Sequence, residues 1–295
     1  MSTNRVLFAG VLTVVGLLAT SQAWAACPTY VPQEEVVQDE KNPKQASKKS
    51  SPHGNLPPPP PPDSNQPNFN QAFADSAKAM RLAPSRRKKS DQAIADCTEA
   101  IKLDPNSAAV WLARAEAYYA ASLHLQDAGN SDEATKRLEQ AIADCTEAIR
   151  LSPGDAAGWS LRGRALYKRS QLQQCSYDQA ISDLTEAIQL NPKIAGFWHA
   201  RGEAYFAESL YLDGFTVPNE AKQRLEQAIA DCAEAIRLSP DSAATWSLRG
   251  QVHFQQKNYE QALADFVRSR ELEPNQTEIE FWLKETREQL KARSR

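Results

Sequence analysis

Over residues 93–101, Ala93, Ile94, Cys97, Ala100 and Ile101 recur at intervals of three and four, with Asp96, Thr98 and Glu99 among the residues between them. This is the i, i+3/i+4, i+7 spacing of an amphipathic helix. The pattern returns down the chain, and the stretch Glu139–Pro153 recurs almost unchanged at Glu226–Pro240. Each copy ends on a proline: Pro105, Pro153, Pro192, Pro240 and Pro274. Proline pushes the residue before it away from helical geometry, so each copy predicts a helix that stops there. The prolines are separated by 48, 39, 48 and 34 residues. A spacing of 34 is that of a helix–turn–helix array, and the other three exceed it by 14, 5 and 14.

A second helix precedes each of the last four copies. It opens on Trp111, Trp159, Trp198 or Trp246 and continues with Arg114-Ala115, Arg162-Gly163, Arg201-Gly202 or Arg249-Gly250. The closing helix carries Ala93, Ala141, Ala180, Ala228 and Ala262, then Ala100, Ala148, Ala187, Ala235 and, in the last copy, Ser269. Small residues let two helices approach while the large ring fills the wedge between them. In these residues, over about 70–274, the chain resembles the tetratricopeptide repeat. The resemblance implies an all-α fold: a helix–turn–helix solenoid of about five repeats over residues 69–274, followed by a capping helix in 275–295. Helix A of the first unit is degenerate, with Phe73, Ala77 and Met80 standing in for Trp, Gly and Tyr. Thr277–Ala292 has Ile279, Leu283 and Leu290 on one side, as a solenoid cap requires.

In the second and fourth units the extra residues fall between Tyr118 and Ala141 and between Tyr205 and Ala228. Split evenly, they lengthen each helix by about two turns, with Gly129-Asn130 and Gly214…Pro218-Asn219 supplying the displaced turns. Units two and three return in four and five at a shift of 87, which reads as duplication of a two-unit block.

The first 25 residues read as a secretory signal peptide: Arg5, the apolar run Val6–Ala19, and the small-x-small site Ala23-Trp24-Ala25. The run is too short for an ordinary spanning helix. It predicts export to a periplasm, a cell envelope or the exterior. Cys27 opens a second reading, a lipid-modified terminus and membrane anchor, although Trp24 stands where bacterial lipoprotein signals prefer leucine. Residues 26–68, with six prolines at Pro57–Pro62, read as a disordered proline-rich spacer, or as a docking site for an aromatic-lined groove.

The chain has no phosphate loop, dinucleotide glycine pattern, His-Glu-x-x-His or Gly-x-Ser-x-Gly, and no catalytic residues, cofactor or metal site are expected. With 34 basic and 37 acidic residues it has no nucleic-acid footprint. The basic run Arg86–Lys89 reads as a solvated turn. Cys97, Cys145 and Cys232 share one slot on the second helix and read as small buried hydrophobes. Cys175, in the turn of the third unit, reads as the most exposed thiol. Each recurring arginine has an aspartate on the partner helix (Asp144, Asp183, Asp231, Asp265), which predicts an ion pair inside each unit.

The resemblance places helix A along a concave groove, and its partner would be a protein or peptide, with a membrane involved only if Cys27 is lipidated. One groove row is Tyr119, Tyr167, Phe206 and Phe254. These rings offer rigid apolar contact to a partner, or pack on the next helix A. A second row is Glu116, Arg164, Glu203 and Gln251, with His199 beside it. Its alternating charges read as a ladder of pairs, while Arg164 and Lys168 could capture an acidic group. The lysine–asparagine clamp with which relatives grip chaperone tails is missing: Leu112 and Glu116, Ser160 and Arg164, His199 and Glu203 hold those slots. The lengthened hairpins offer another surface, with Leu123 and Leu125 in the second unit and Leu210, Tyr211, Leu212 and Phe215 in the fourth. The functional expectation is a noncatalytic adaptor, and the alternative is a lipid-anchored structural component of an envelope complex.

Overall fold

The computed structural model describes residues 86–214, 217–275 and 277–294. The proposed signal peptide and spacer, Cys27, the first helix A with Phe73, Ala77 and Met80, and Phe215 lie outside the described residues. Within them the fold is all-α. The first helix, α1 (Arg86–Leu103), is helix B of unit one. The run Arg86–Lys89 therefore opens a helix and is not a turn between helices.

Four hairpins follow. They are α2 (Ala108–Asp127) with α3 (Ser131–Leu151), α4 (Ala156–Gln173) with α5 (Asp178–Leu190), α6 (Ala195–Gly214) with α7 (Pro218–Leu238), and α8 (Ala243–Gln255) with α9 (Tyr259–Leu272). The cap α10 (Thr277–Arg293) closes the array with Ile279 and Leu283 buried. The 20 and 21 residues of α2 and α3, against 13 and 14 in α8 and α9, confirm two extra turns per helix in the long hairpins. Asp155 and Asn130 cap α4 and α3 by accepting backbone N–H groups of Ala157 and Glu133.

From α3 onward each helix B packs on its own helix A, and every described helix B packs on the helix that follows it. Successive A helices pack backbone to backbone, whereas among the described residues successive B helices lie further apart, with α5 and α7 bridged by the Asp178–Arg224 ion pair, so the A helices form the inner layer. Inside each hairpin, size is traded across one contact. The B-helix slot holds Cys145, Leu184, Cys232 or Phe266, all with no exposure. Facing it are Ala115, Gly163, Gly202 and Gly250. The smallest filler tolerates alanine opposite, while Leu184 and Phe266 stand so close that a Cβ on Gly163 or Gly250 would come within 2.8 and 2.7 Å.

Candidate functional site

The recurring tryptophan, arginine and aspartate lock neighbouring units together. The indole N–H of Trp111 donates to the carbonyl of Pro105 at 2.9 Å, and Trp159, Trp198 and Trp246 do the same to Pro153, Pro192 and Pro240. Each closing proline thus ends one helix and supplies the acceptor that seats the next. The guanidinium of Arg114 lies 5.0 Å over the Trp111 ring and holds Asp144 with two hydrogen bonds, of 2.7 and 2.8 Å. Arg162–Asp183, Arg201–Asp231 and Arg249–Asp265 repeat that fork, so these arginines are structural, as their pairing predicts. A further contact escaped the sequence reading. Arg114, Arg162 and Arg201 each donate to a threonine on the preceding helix B (Thr98, Thr146, Thr185) at 3.1–3.2 Å. The fourth such position is Ala233.

With the recurring arginines paired, the inner layer exposes a cleft among the described residues. It has a volume of about 200 Å³ and is lined by Tyr119 of α2, Arg164, Tyr167 and Lys168 of α4, Leu184 of α5, and Ala200 and Glu203 of α6. Four predicted groove residues, Tyr119, Arg164, Tyr167 and Lys168, therefore meet in one place. The ladder reading of Arg164 is corrected: no ion pair joins it to Glu203, and its guanidinium lies 4.9 Å over the buried Tyr119 ring. Lys168 stacks on Tyr167 at 5.3 Å and donates to Gln171. Burial pushes the Lys168 ammonium below its ordinary value, and Arg164 lowers it further while Glu203 and Asp127 pull it up. Burial likewise raises the hydroxyls of Tyr167 and Tyr119. Glu203, on the opposite wall, meets His199 at 3.7 Å. The cleft is thus a partly dry notch with two cations on one side and one carboxylate on the other, suited to an anionic group carried on an apolar stem.

The other predicted residues lie elsewhere. His199 bonds the hydroxyl of Thr245 through Nδ1 at 3.1 Å, bracing α6 on α8. Phe206 packs against the core cluster of Tyr205 and Leu225. Phe254 makes edge contacts with Tyr259 and Trp282, both centroids 5.3 Å away, so in the last hairpin the ring serves the cap. In the hairpin edges Leu125 is buried and Leu123 packs on the core, while Leu210, Tyr211 and Leu212 are half-buried. The lengthened helices cover much of each other's apolar surface. Cys175 is corrected: it is buried, its Sγ 3.7 Å from the Ser170 hydroxyl. Cys145 and Cys232 are buried as expected, and Cys97 is half-buried.

No curated protein matches the chain. Among solved structures it is similar to the first tetratricopeptide domain of Spaghetti (RPAP3) bound to an HSP90 peptide, with 25% identity over 46% of this chain and 92% of that one and a TM-score of 0.38. It is similar also to a thermophilic tetratricopeptide protein, TTC0263, from Thermus thermophilus, with 17% identity over 74% and 97% and a TM-score of 0.49. MamA from Desulfovibrio magneticus RS-1 shares 18% identity over 72% and 98%, with a TM-score of 0.47. Residues 243–276 match the family model described as Tetratricopeptide repeat. The Trp–Arg–Asp lock of that unit recurs in the three hairpins before it, and the chain is a tetratricopeptide-repeat protein.

Proposed function

We propose that the protein is a noncatalytic scaffold that holds a segment of another protein on its inner layer, at the cleft between α2, α4 and α6. The observation that carries this reading is the pairing of Arg164 and Lys168. Neither has a carboxylate within 4.0 Å among the described residues, and both rest on tyrosine rings. Side chains that elsewhere in the array are spent on internal ion pairs are here left facing the groove. The HSP90 peptide held by the Spaghetti domain is an example of such a segment in another protein of this fold. The amino-terminal charge, apolar run and small-x-small site support export, to a periplasm, envelope or exterior, with Cys27 as the residue that a lipid anchor would use.

The test is affinity purification of carboxy-terminally tagged protein from envelope extracts, beside an Arg164→Ala/Lys168→Ala variant that keeps its helical circular dichroism. A partner captured by the parent and lost by the variant supports the cleft. Partners retained by the variant refute it. Mass spectrometry of the mature amino terminus separates cleavage after Ala25 from a lipid on Cys27.

A further inference from the structure

The two-unit duplication lets one half of the array show what the other lacks. At a shift of 87, Leu225 and Ile229 of α7 correspond to Leu138 and Ile142 of α3. Over α3 lies the end of α4, which at 18 residues is five longer than its counterpart α8 at 13. Those five residues, Arg169–Gln173, carry Leu172, which packs on the same core cluster as Leu138 and Ile142. In the second block α8 ends at Gln255, and among the described residues none takes the place of Leu172. An open cleft of about 810 Å³ lies there, with Leu225 and Ile229 in its wall and Pro218, Lys222, Glu226 and Lys257 among its lining residues. Exposure follows the missing side chain: Ala134 and Leu138 are 0% and 1% exposed, while Ala221 and Leu225 are 6% and 8%.

The geometry points to this cleft as the seat of an amphipathic helix from a partner protein, which sets a leucine where Leu172 sits in the other block and a carboxylate beside it. The first block shows the occupant that such a seat takes: the last turn of a helix, aliphatic side chain inward. The charge requirement comes from the lining. Lys222 pairs with Glu226, the one acid of the lining, at 3.9 Å, and exposed Lys257 has no carboxylate within 4.0 Å among the described residues, which leaves the lining net positive. An occupant with glutamates flanking its leucine matches the positive balance. None of the inner-layer cleft residues takes part, so this site stands or falls independently of Arg164 and Lys168.

The probe is a fluorescently labelled alanine-based helical peptide with one central leucine flanked by glutamates, beside the same peptide with asparagine for leucine. Binding to the full chain is followed by anisotropy, and its place by the methyl resonance of Ile229 in isoleucine-labelled protein. The expected result is a shift of Ile229, with the leucine peptide binding at least about tenfold tighter than the asparagine peptide. Lys222→Glu/Lys257→Glu should weaken the leucine peptide, while Arg164→Ala/Lys168→Ala should leave it unchanged. A variant with the Arg169–Gln173 sequence inserted after Gln255 fills the seat from within and should lose binding; if it fails to fold, Ile229→Asn takes its place with anisotropy alone. An unmoved Ile229 at millimolar peptide, equal affinity for the two peptides, or binding that persists in the filled variant overturns the proposal.

Discussion

The carboxylate of Glu208 accepts the backbone N–H of Tyr177 at 2.7 Å, across the boundary between the third and fourth units. Tyr177 is the N-cap residue of α5 and its own side chain makes no capping bond, so an acid on the lengthened part of α6 does that work from outside. Burial pushes the Glu208 carboxyl above its ordinary value, opposed by the Tyr177 N–H and by Arg224. An acid raised by folding stabilises most below its unfolded value, and that contribution is lost as pH rises through the folded one. Glu208→Gln keeps an acceptor oxygen and removes the buried charge. It should be no less stable than the parent at pH 7, and its advantage should shrink as pH falls toward the ordinary value of 4.5. Glu208→Ala strands the N–H and should lose about 1–3 kcal/mol. Urea titrations at pH 5 and 7 decide it, and an identical pH response in parent and Gln variant would refute the assignment.

The arginine forks should behave as partly buried pairs. Asp183→Ala leaves the Arg162 guanidinium with its Thr146 bond and its place over Trp159 but without a carboxylate. The loss should approach about 3 kcal/mol. Arg162→Met with Asp183→Leu removes both charges and should recover much of it. A double variant as unstable as the single would mean that stacking and the threonine bond, not the unpaired charge, set the cost.

Two glycines at equivalent positions should respond oppositely to alanine. At Gly163 the new Cβ would lie 2.8 Å from Leu184 Cγ and 3.1 Å from the Ala180 carbonyl, so Gly163→Ala should cost about 1–3 kcal/mol. At Gly202 the nearest atom is Cys232 Sγ at 3.4 Å. There Gly202→Ala should be neutral or gain up to about 1 kcal/mol from helix propensity. Thermal melts of the two variants, read side by side, give the sign of each.

Thiol chemistry checks the placement of Cys175. In a Cys27→Ser background, a disulfide reagent at pH 8 should label half-buried Cys97 first. Cys145, Cys175 and Cys232 should react only as urea unfolds the chain, because burial also pushes the Cys145 and Cys232 thiols far above their ordinary values. Rapid native labelling of Cys175 would contradict its position under α4.

The array was legible because its register is written in rare residues. Tryptophan, the Arg-Ala or Arg-Gly step and the closing proline mark each of the last four units, and in the two long hairpins the surplus length divides evenly between the helices. The fork of Arg162 on Asp183 was legible too, since a repeating base beside a repeating acid on antiparallel helices has one economical partner. What stayed hidden depends on contacts across unit boundaries. The role of Thr98, Thr146 and Thr185 requires knowing which helix B backs which helix A. Phe254 shares a column with Tyr119, yet the cap's Trp282 takes it for packing. Cys175 sits in a turn, where exposure is the usual outcome, but in the longer third unit that turn folds back on Ser170. Of the groove rows, Tyr119, Arg164, Tyr167 and Lys168 converge because α4 presents three of them within two turns.

Ala233 has a consequence beyond one missing bond. At the junctions before it a threonine ties each helix B to the next arginine, and the long fourth hairpin grips the third through Glu208 and through Arg224, which lies 3.4 Å from Asp178. Between units four and five the threonine is absent, a single side-chain bond from His199 to Thr245 takes its place, and the space of the missing helical turn stands open. In a linear array, where neighbours alone hold each unit, such a junction is the seam along which the molecule parts first. The last hairpin and its cap should therefore detach as one block while the remainder stays folded, seen in hydrogen exchange as common, faster protection loss over α8, α9 and α10. An array with such a seam can release its carboxy-terminal end while the hairpins before it keep their packing.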